Sequence, residues 1–207
     1  MEEAIDAYQK LHPEITISYE APGASAGVKG ALSGTYALGG SSRKLKDSEV
    51  TAGAKVTSIA LDGLAVVVNG KVTSNSLSLQ QIADIFSGKI KNWNQVGGPN
   101  MKIVLINRDE ASGTRATFQK LVLGKKVKFD ASAIIVESNG DMVTKVGATP
   151  YAIGYCGFGY IERAKSAGAQ TVLIDGVAPE MKNVYSTKYP LSRELYVVSK
   201  GSILAES

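Results

Sequence analysis

Lys102-Ile-Val-Leu-Ile-Asn107-Arg108-Asp109-Glu110-Ala-Ser112-Gly113-Thr114-Arg115-Ala-Thr-Phe-Gln-Lys-Leu-Val-Leu123 reads as a strand, a short polar turn and a helix in immediate succession. The apolar, β-branched run ends at Asn107, and helix-compatible spacing resumes at Ala116. A Ser-Gly-Thr turn at a helix start leaves backbone N–H groups without an intrahelical acceptor, and the helix dipole favours negative charge there. Ser112 and Thr114 add hydroxyls, Arg108 adds a fixed charge with a planar fork of donors, and Asp109 and Glu110 add carboxylates. The stretch therefore predicts an anion site at a strand-to-helix junction, a feature of open α/β sheets.

The same alternation continues outward. Helices are expected over Glu2–Leu11, which His12-Pro13 stops, over 28–32, and in the charged stretch 44–52. Further helices are expected over 78–86, where Ser78 and Gln81 form a capping box, and over 140–148 and 160–167. Strands are expected at 15–19, 36–40, 56–59, 64–68, 152–155, 170–174 and 194–199, and residues 200–207 read as the start of another helix. The polar stretch 69–78 reads as an interdomain crossing, with 186–194 as its return. Strands alternating with helices give an α/β class.

Composition narrows the chemistry. The chain has 207 residues, a net charge of +4 and scattered lysines, with no basic stripe of the kind that tracks nucleic acid. One Cys, Cys156, and one His, His12, form neither a disulfide nor a His/Cys zinc site. No apolar run approaches the ~20 residues of a membrane helix, and no leader reads at the start of the chain. Ser112 lacks a Gly-x-Ser-x-Gly setting and the turn lacks the Gly-x-x-x-x-Gly-Lys pattern, so a binding module is preferred over an enzyme, with no catalytic residue, metal or cofactor assigned.

Two other small, hydroxyl-rich turns, Gly23–Gly27 and Gly39–Arg43, resemble the first in type. Each alone is an ordinary connector; together with Arg108 they suggest loops converging on one small anion. A carboxylate in such a site accepts a hydrogen bond from a protonated oxyanion such as hydrogen phosphate and repels sulfate. The sequence leaves open which acid faces the site.

Ile85-Phe-Ser-Gly-Lys-Ile-Lys-Asn-Trp-Asn-Gln-Val-Gly-Gly98, Asn107–Arg115, Ala152-Ile-Gly-Tyr-Cys-Gly-Phe-Gly-Tyr160, Gly39-Gly-Ser-Ser-Arg43 and Tyr189-Pro-Leu-Ser-Arg193 together resemble the phosphate-binding proteins of bacterial ABC phosphate importers. The resemblance runs in order over nearly the whole chain. It implies a two-lobe, type II periplasmic-binding-protein-like fold with a ligand cleft between lobes: lobe I from 1–72 plus 191–207, lobe II from 73–190. It implies that Arg108, Ser112, Gly113 and Thr114 contact phosphate, that Glu110 pairs with the arginine, and that Ser42 and Ser25 come from the first lobe. Ala24 stands where a serine is usual, and Ala37 where the family often has Asp. Relative to the family, the opening strand and the C-terminal helices are expected to be missing, leaving lobe I incomplete with strand edges open to self-association. The implied role is an exported solute receptor, lipid-anchored or periplasmic, that binds inorganic phosphate and delivers it to a membrane permease, without nucleic acid. A receptor for sulfate or molybdate is the alternative, and a phosphate-ester hydrolase a more distant one.

Overall fold

The computed structural model describes residues 2–201, with side chains from Ile5 onward. The helix start expected over 200–207 lies, from 202 on, outside the described residues. Helix α1 (Glu2–Leu11) ends as expected before His12-Pro13. Ile15–Tyr19 alternates like a strand but joins no ladder, and Ile15, Ile17 and Tyr19 are exposed. Alternation supplies a strand's pattern, but a ladder also requires backbone pairing with a neighbouring strand, and no described strand pairs with this stretch.

Next come α2 (Ala24–Ser33), β1 (Gly39–Ser41), α3 (Asp47–Thr51) and β2 (Ala54–Asn69). The runs expected as two strands at 56–59 and 64–68 are one strand of 16 residues, kinked by a bulge between Ser58 and Ala60. β3 (Ser76–Leu77), α4 (Leu79–Phe86) and β4 (Val104–Arg108) follow, then α5 (Gly113–Phe118), which runs into a π-helical turn at Gln119–Leu123. β5 (Ile134–Val136), α6 (Asn139–Ala148), β6 (Ala152–Gly157) and α7 (Ile161–Ser166) continue the alternation. β7 (Ala169–Thr171), β8 (Leu173–Ile174), α8 (Met181–Tyr185) and β9 (Ser192–Lys200) complete the described chain. The Ser78 capping box forms: Ser78 Oγ accepts from the Gln81 amide at 3.0 Å, and Gln81 Oε1 accepts from the Ser78 amide at 2.8 Å.

A seven-stranded sheet in the order β1-β9-β2-β6-β4-β5, with β7 also on β2, organises the molecule. β4 lies parallel to β5 and β6, whereas β2 is antiparallel to β6, β7 and β9. β2 changes partners along its length, pairing with β9 from Ala54 to Gly63 and with β6 from Leu64 to Val68. Burial changes at the same point: Lys55–Leu61 are exposed and Gly63–Asn69 buried.

On the buried half, alternate residues serve opposite faces. Leu64, Val66 and Val68 pack with Phe86, Trp93, Phe118, Tyr155 and Tyr189. Ala65 and Val67 pack with Ile106, Met142, Val143 and Val146. Full burial of such a side chain stabilises by about 1.5–3 kcal/mol. The β1–β9 end rests on a much smaller cluster of Val28, Ala31, Ala54 and Val198.

The stretch 69–78, expected as a crossing, is folded into the larger half. Val72 is buried, its carbonyl accepts from Gln170 Nε2 at 2.6 Å, and β3 pairs in parallel with β8. The strand expected over 170–174 divides at buried Val172, because β7 pairs with β2 while β8 pairs with β3.

Candidate anion site

β4 delivers Arg108 to the end of the sheet, and the next four residues form a tight turn. Asp109 Oδ1 accepts from the Ala111 amide at 2.8 Å, and the Ser112 amide donates to the Asp109 carbonyl at 3.3 Å. Ser112 then caps α5, its Oγ accepting from the Arg115 amide at 3.1 Å. The amides of Gly113 and Thr114 start the helix, where no intrahelical acceptor exists.

Arg108 is 5% exposed and only partly satisfied. Nη2 donates to the Glu137 carbonyl at 2.7 Å. Its backbone amide donates to Asn107 Oδ1 at 2.9 Å, and the same oxygen accepts from Tyr155 Oη at 2.5 Å. Tyr155 stacks on Phe118 of α5 with ring centroids 4.1 Å apart, which ties β6 to the helix that carries Ser112–Thr114. Nε lies 3.7 Å from Asp109 Oδ2, too long for a hydrogen bond, and Nε and Nη1 are buried without a hydrogen-bond partner. Burial lowers the Arg108 pKa, and Asp109 opposes that shift. An unsatisfied buried donor costs about 1–3 kcal/mol, more when charged. An anion accepting from that edge removes the penalty.

The other two turns converge on the same place. The Ser25 amide donates to the Ala111 carbonyl at 3.3 Å, and Thr117 Oγ1 donates to the Ser42 carbonyl at 2.9 Å. A Cβ added to Gly113 would lie 2.4 Å from Ser42 Oγ and 2.6 Å from Ala24 Cβ. The glycine is what lets these loops meet. Ala24, where the resemblance expects a serine, therefore faces Gly113, and the half-buried Ser25 contributes its amide to the junction.

Ser25, Ser42, Arg108, Ser112, Gly113 and Thr114 thus come together, but Glu110 does not. Its side chain is 93% exposed and lies 3.7 Å from Arg115 Nη1, so the pairing expected with Arg108 is corrected: the acid beside Arg108 is Asp109. The Asp109–Ala111 turn holds Asp109 inward and turns the next side chain outward.

Four residues beside the site are assigned no role there by the sequence. Asn107 and Tyr155 hold the backbone at Arg108, Glu137 offers its carbonyl, and Asn139 has a buried Oδ1 without a partner. Ser138-Asn139-Gly140 is another small polar turn between a strand and a helix, the same signal that marked Ser112–Thr114.

Arg193 of β9 reaches Thr114. Nη1 donates to Thr114 Oγ1 at 2.9 Å, while Nε and Nη2 donate to Asp62 Oδ2 at 2.9 and 2.6 Å. A groove of about 430 Å³ opens there, lined by Arg43, Lys44, Thr117, Lys120, Arg193 and Tyr196 among others. The Arg43 fork is taken up by Glu49, at 2.9 and 2.7 Å.

The model of the PBP superfamily domain matches residues 1–206. The phosphate-binding protein PstS of Borreliella burgdorferi is 33% identical over 207 residues, covering 97% of this chain and 74% of that protein. The PstS of Bacillus subtilis is 35% identical over 201 residues, covering 96% of this chain and 65% of that protein. The chain therefore spans about two thirds to three quarters of these relatives' length. Among solved structures, one from Clostridium perfringens with bound phosphate, described as a phosphate ABC transporter substrate-binding protein, superposes with a TM-score of 0.93 at 35% identity; the match covers 99% of this chain and 83% of that one. An ABC-type phosphate transport receptor from Vibrio cholerae gives a TM-score of 0.77 at 29% identity, with the same coverage. With its mixed sheet, its helices and a relative of this identity matched over most of its length, the chain belongs to the PBP superfamily and, within it, to the PstS phosphate-binding protein family.

Proposed function

We propose that this chain is a receptor for inorganic phosphate, held by Arg108, the Ser112-Gly113-Thr114 turn, and the Ser25 and Ser42 loops. The observation that carries the reading is the buried, unpartnered Nε and Nη1 of Arg108 beside a helix start. Charge-assisted hydrogen bonds from that fork and from the turn replace the hydration of the anion. Asp109 Oδ2, on the same side as Arg108 Nε, is the acceptor that favours hydrogen phosphate over sulfate.

The lobe boundaries expected at 1–72 with 191–207, and 73–190, shift in this reading, because residues 64–72 pack with the second lobe. The relative motion of the lobes centres on Gly63–Leu64, where β2 changes partners, and on Ser192, which pairs with Gly63. In this reading the chain binds and releases phosphate without chemistry on it, works as an exported protein at the cell surface or in the periplasm, and hands phosphate to the permease of an ABC importer. Among the described residues no helix is long and apolar enough to cross a membrane. The edge of β2 over 55–61 that faces away from β9 carries no paired strand among the described residues, which supports self-association there.

Calorimetric titration with inorganic phosphate tests the reading, with sulfate and molybdate as competitors at several pH values. Phosphate binding that weakens at least thirtyfold in Arg108→Ala is expected, from about 2 kcal/mol for truncating a charge-assisted contact. Equal affinity in wild type and Arg108→Ala, or preference for sulfate, overturns it.

A further inference from the structure

We infer that Arg193 is a positioning residue for anion binding: it fixes the Thr114 hydroxyl as a donor toward the anion and ties that hydroxyl to the point where β2 changes partners. The inference rests on the phosphate-receptor reading of the Arg108 site.

A threonine hydroxyl has one proton and two lone pairs, and it rotates to suit its neighbours. Arg193 cannot accept a hydrogen bond, so its 2.9 Å contact with Thr114 Oγ1 occupies a lone pair. The proton of Thr114 must then point elsewhere, and no acceptor among the described residues takes it. Thr114 is 3% exposed, so bulk water is a poor alternative. Without Arg193 the hydroxyl is free to turn a lone pair toward the anion, which repels it.

Arg193 is itself held rigidly. Two of its nitrogens grip one carboxylate oxygen of Asp62, and both side chains are largely buried. Asp62 and Arg193 face each other across β2 and β9, one residue before Gly63 pairs with Ser192. Gly157, at the end of β6, makes room for the pair: a Cβ there would lie 2.9 Å from Arg193 Nη2 and 3.2 Å from Asp62 Oδ2. One guanidinium therefore joins the strand crossing to a hydroxyl of the anion turn.

The test is a double-mutant cycle on inorganic phosphate affinity, read by calorimetry, with Arg193→Lys and Thr114→Val. Lysine keeps the charge against Asp62 and so preserves folding, but it lacks the planar fork that serves two partners. Each single variant is expected to weaken phosphate binding about tenfold, the scale of a hydrogen bond to a charged group. The double variant is expected to bind no more weakly than Thr114→Val alone. Thr114→Ser, which keeps the hydroxyl, should retain most of the affinity and remain sensitive to Arg193→Lys. Gly157→Ala, which displaces Arg193 without leaving a charge unpaired, should reproduce part of the loss.

Additive losses in the double variant, or wild-type affinity in Arg193→Lys beside a weakened Thr114→Val, overturn the inference while leaving the receptor reading intact. A wild-type chain that binds no phosphate overturns the receptor reading and this inference with it.

Discussion

Tyr155 donates to Asn107 Oδ1 at 2.5 Å, and that oxygen also accepts from the amide of Arg108 at 2.9 Å. A tyrosine on β6 thus sets the backbone from which the candidate anion ligand projects. Burial raises the Tyr155 pKa well above its ordinary value, so the phenol stays a donor throughout the physiological range. Tyr155→Phe keeps the stacking on Phe118 and removes one donor. The expected result is a loss of about 1 kcal/mol in denaturant-induced unfolding, together with a measurable weakening of phosphate binding. Unchanged stability would show that the bond contributes nothing net.

Arg108 gives a second, sharper expectation, because its unsatisfied N–H groups penalise the ligand-free fold. Arg108→Met fills similar space without burying a charge. Replacing a buried charge by a packed apolar group is often neutral or stabilising, so the ligand-free variant should unfold within about 1 kcal/mol of wild type, or later. Phosphate at about 100 times its Kd should stabilise wild type by about 2.7 kcal/mol and leave Arg108→Met unmoved. Thermal unfolding with and without phosphate reads both arms. A large loss of ligand-free stability would assign Arg108 a structural role instead.

Gly113 separates local propensity from tertiary fit. Alanine at a helix start is favoured over glycine by up to about 1 kcal/mol. Here, however, the added methyl meets Ser42 Oγ at 2.4 Å and Ala24 Cβ at 2.6 Å. Gly113→Ala should therefore destabilise by about 1–3 kcal/mol, the range for overpacking, and weaken phosphate binding by spreading the loops. Ser42→Gly in the same chain should recover part of the stability. A stabilised Gly113→Ala single variant would mean that the loops do not meet as described.

How much of this was legible from residues alone depended on range. The Ser112 turn and the Ser78 capping box were readable because both are local, with donors and acceptors within three residues. The convergence of the Ser25 and Ser42 loops on that turn was suggested by shared composition, yet the contact through Gly113 is a tertiary fact. Asp109 and Glu110 are adjacent acids, and one amide, that of Ala111, decides which faces inward. Ile15–Tyr19 and 56–68 show the limit for strands. The first had the pattern without a neighbour, and the second hid one continuous strand behind a change of partner at Leu64. Arg193 gave no local sign of its role, since Asp62 and Thr114 are both distant in sequence.

Acid sensitivity should trace in part to Arg43 and Glu49. The Arg43 guanidinium grips both oxygens of Glu49, and these hydrogen bonds, helped by the Lys46 amide, hold its carboxyl below the ordinary carboxylate range despite some burial. A carboxylate whose folded pKa is depressed releases its proton more readily in the folded state than in the unfolded one. Its stabilisation is therefore complete above the unfolded value, about 4.3, and disappears as pH falls through the lower folded value. Protonation leaves the buried Arg43 fork facing a neutral acid. Glu49→Gln imposes that condition at every pH, so it should cost about 1–3 kcal/mol at pH 7 and lose less further stability on acidification than wild type. Asp84 and Asp130, also held low by their hydrogen bonds, titrate in both proteins and cancel in the comparison. Urea unfolding of both proteins at pH 7 and pH 3 gives the four free energies; parallel losses with acidity would remove Glu49 from the acid response.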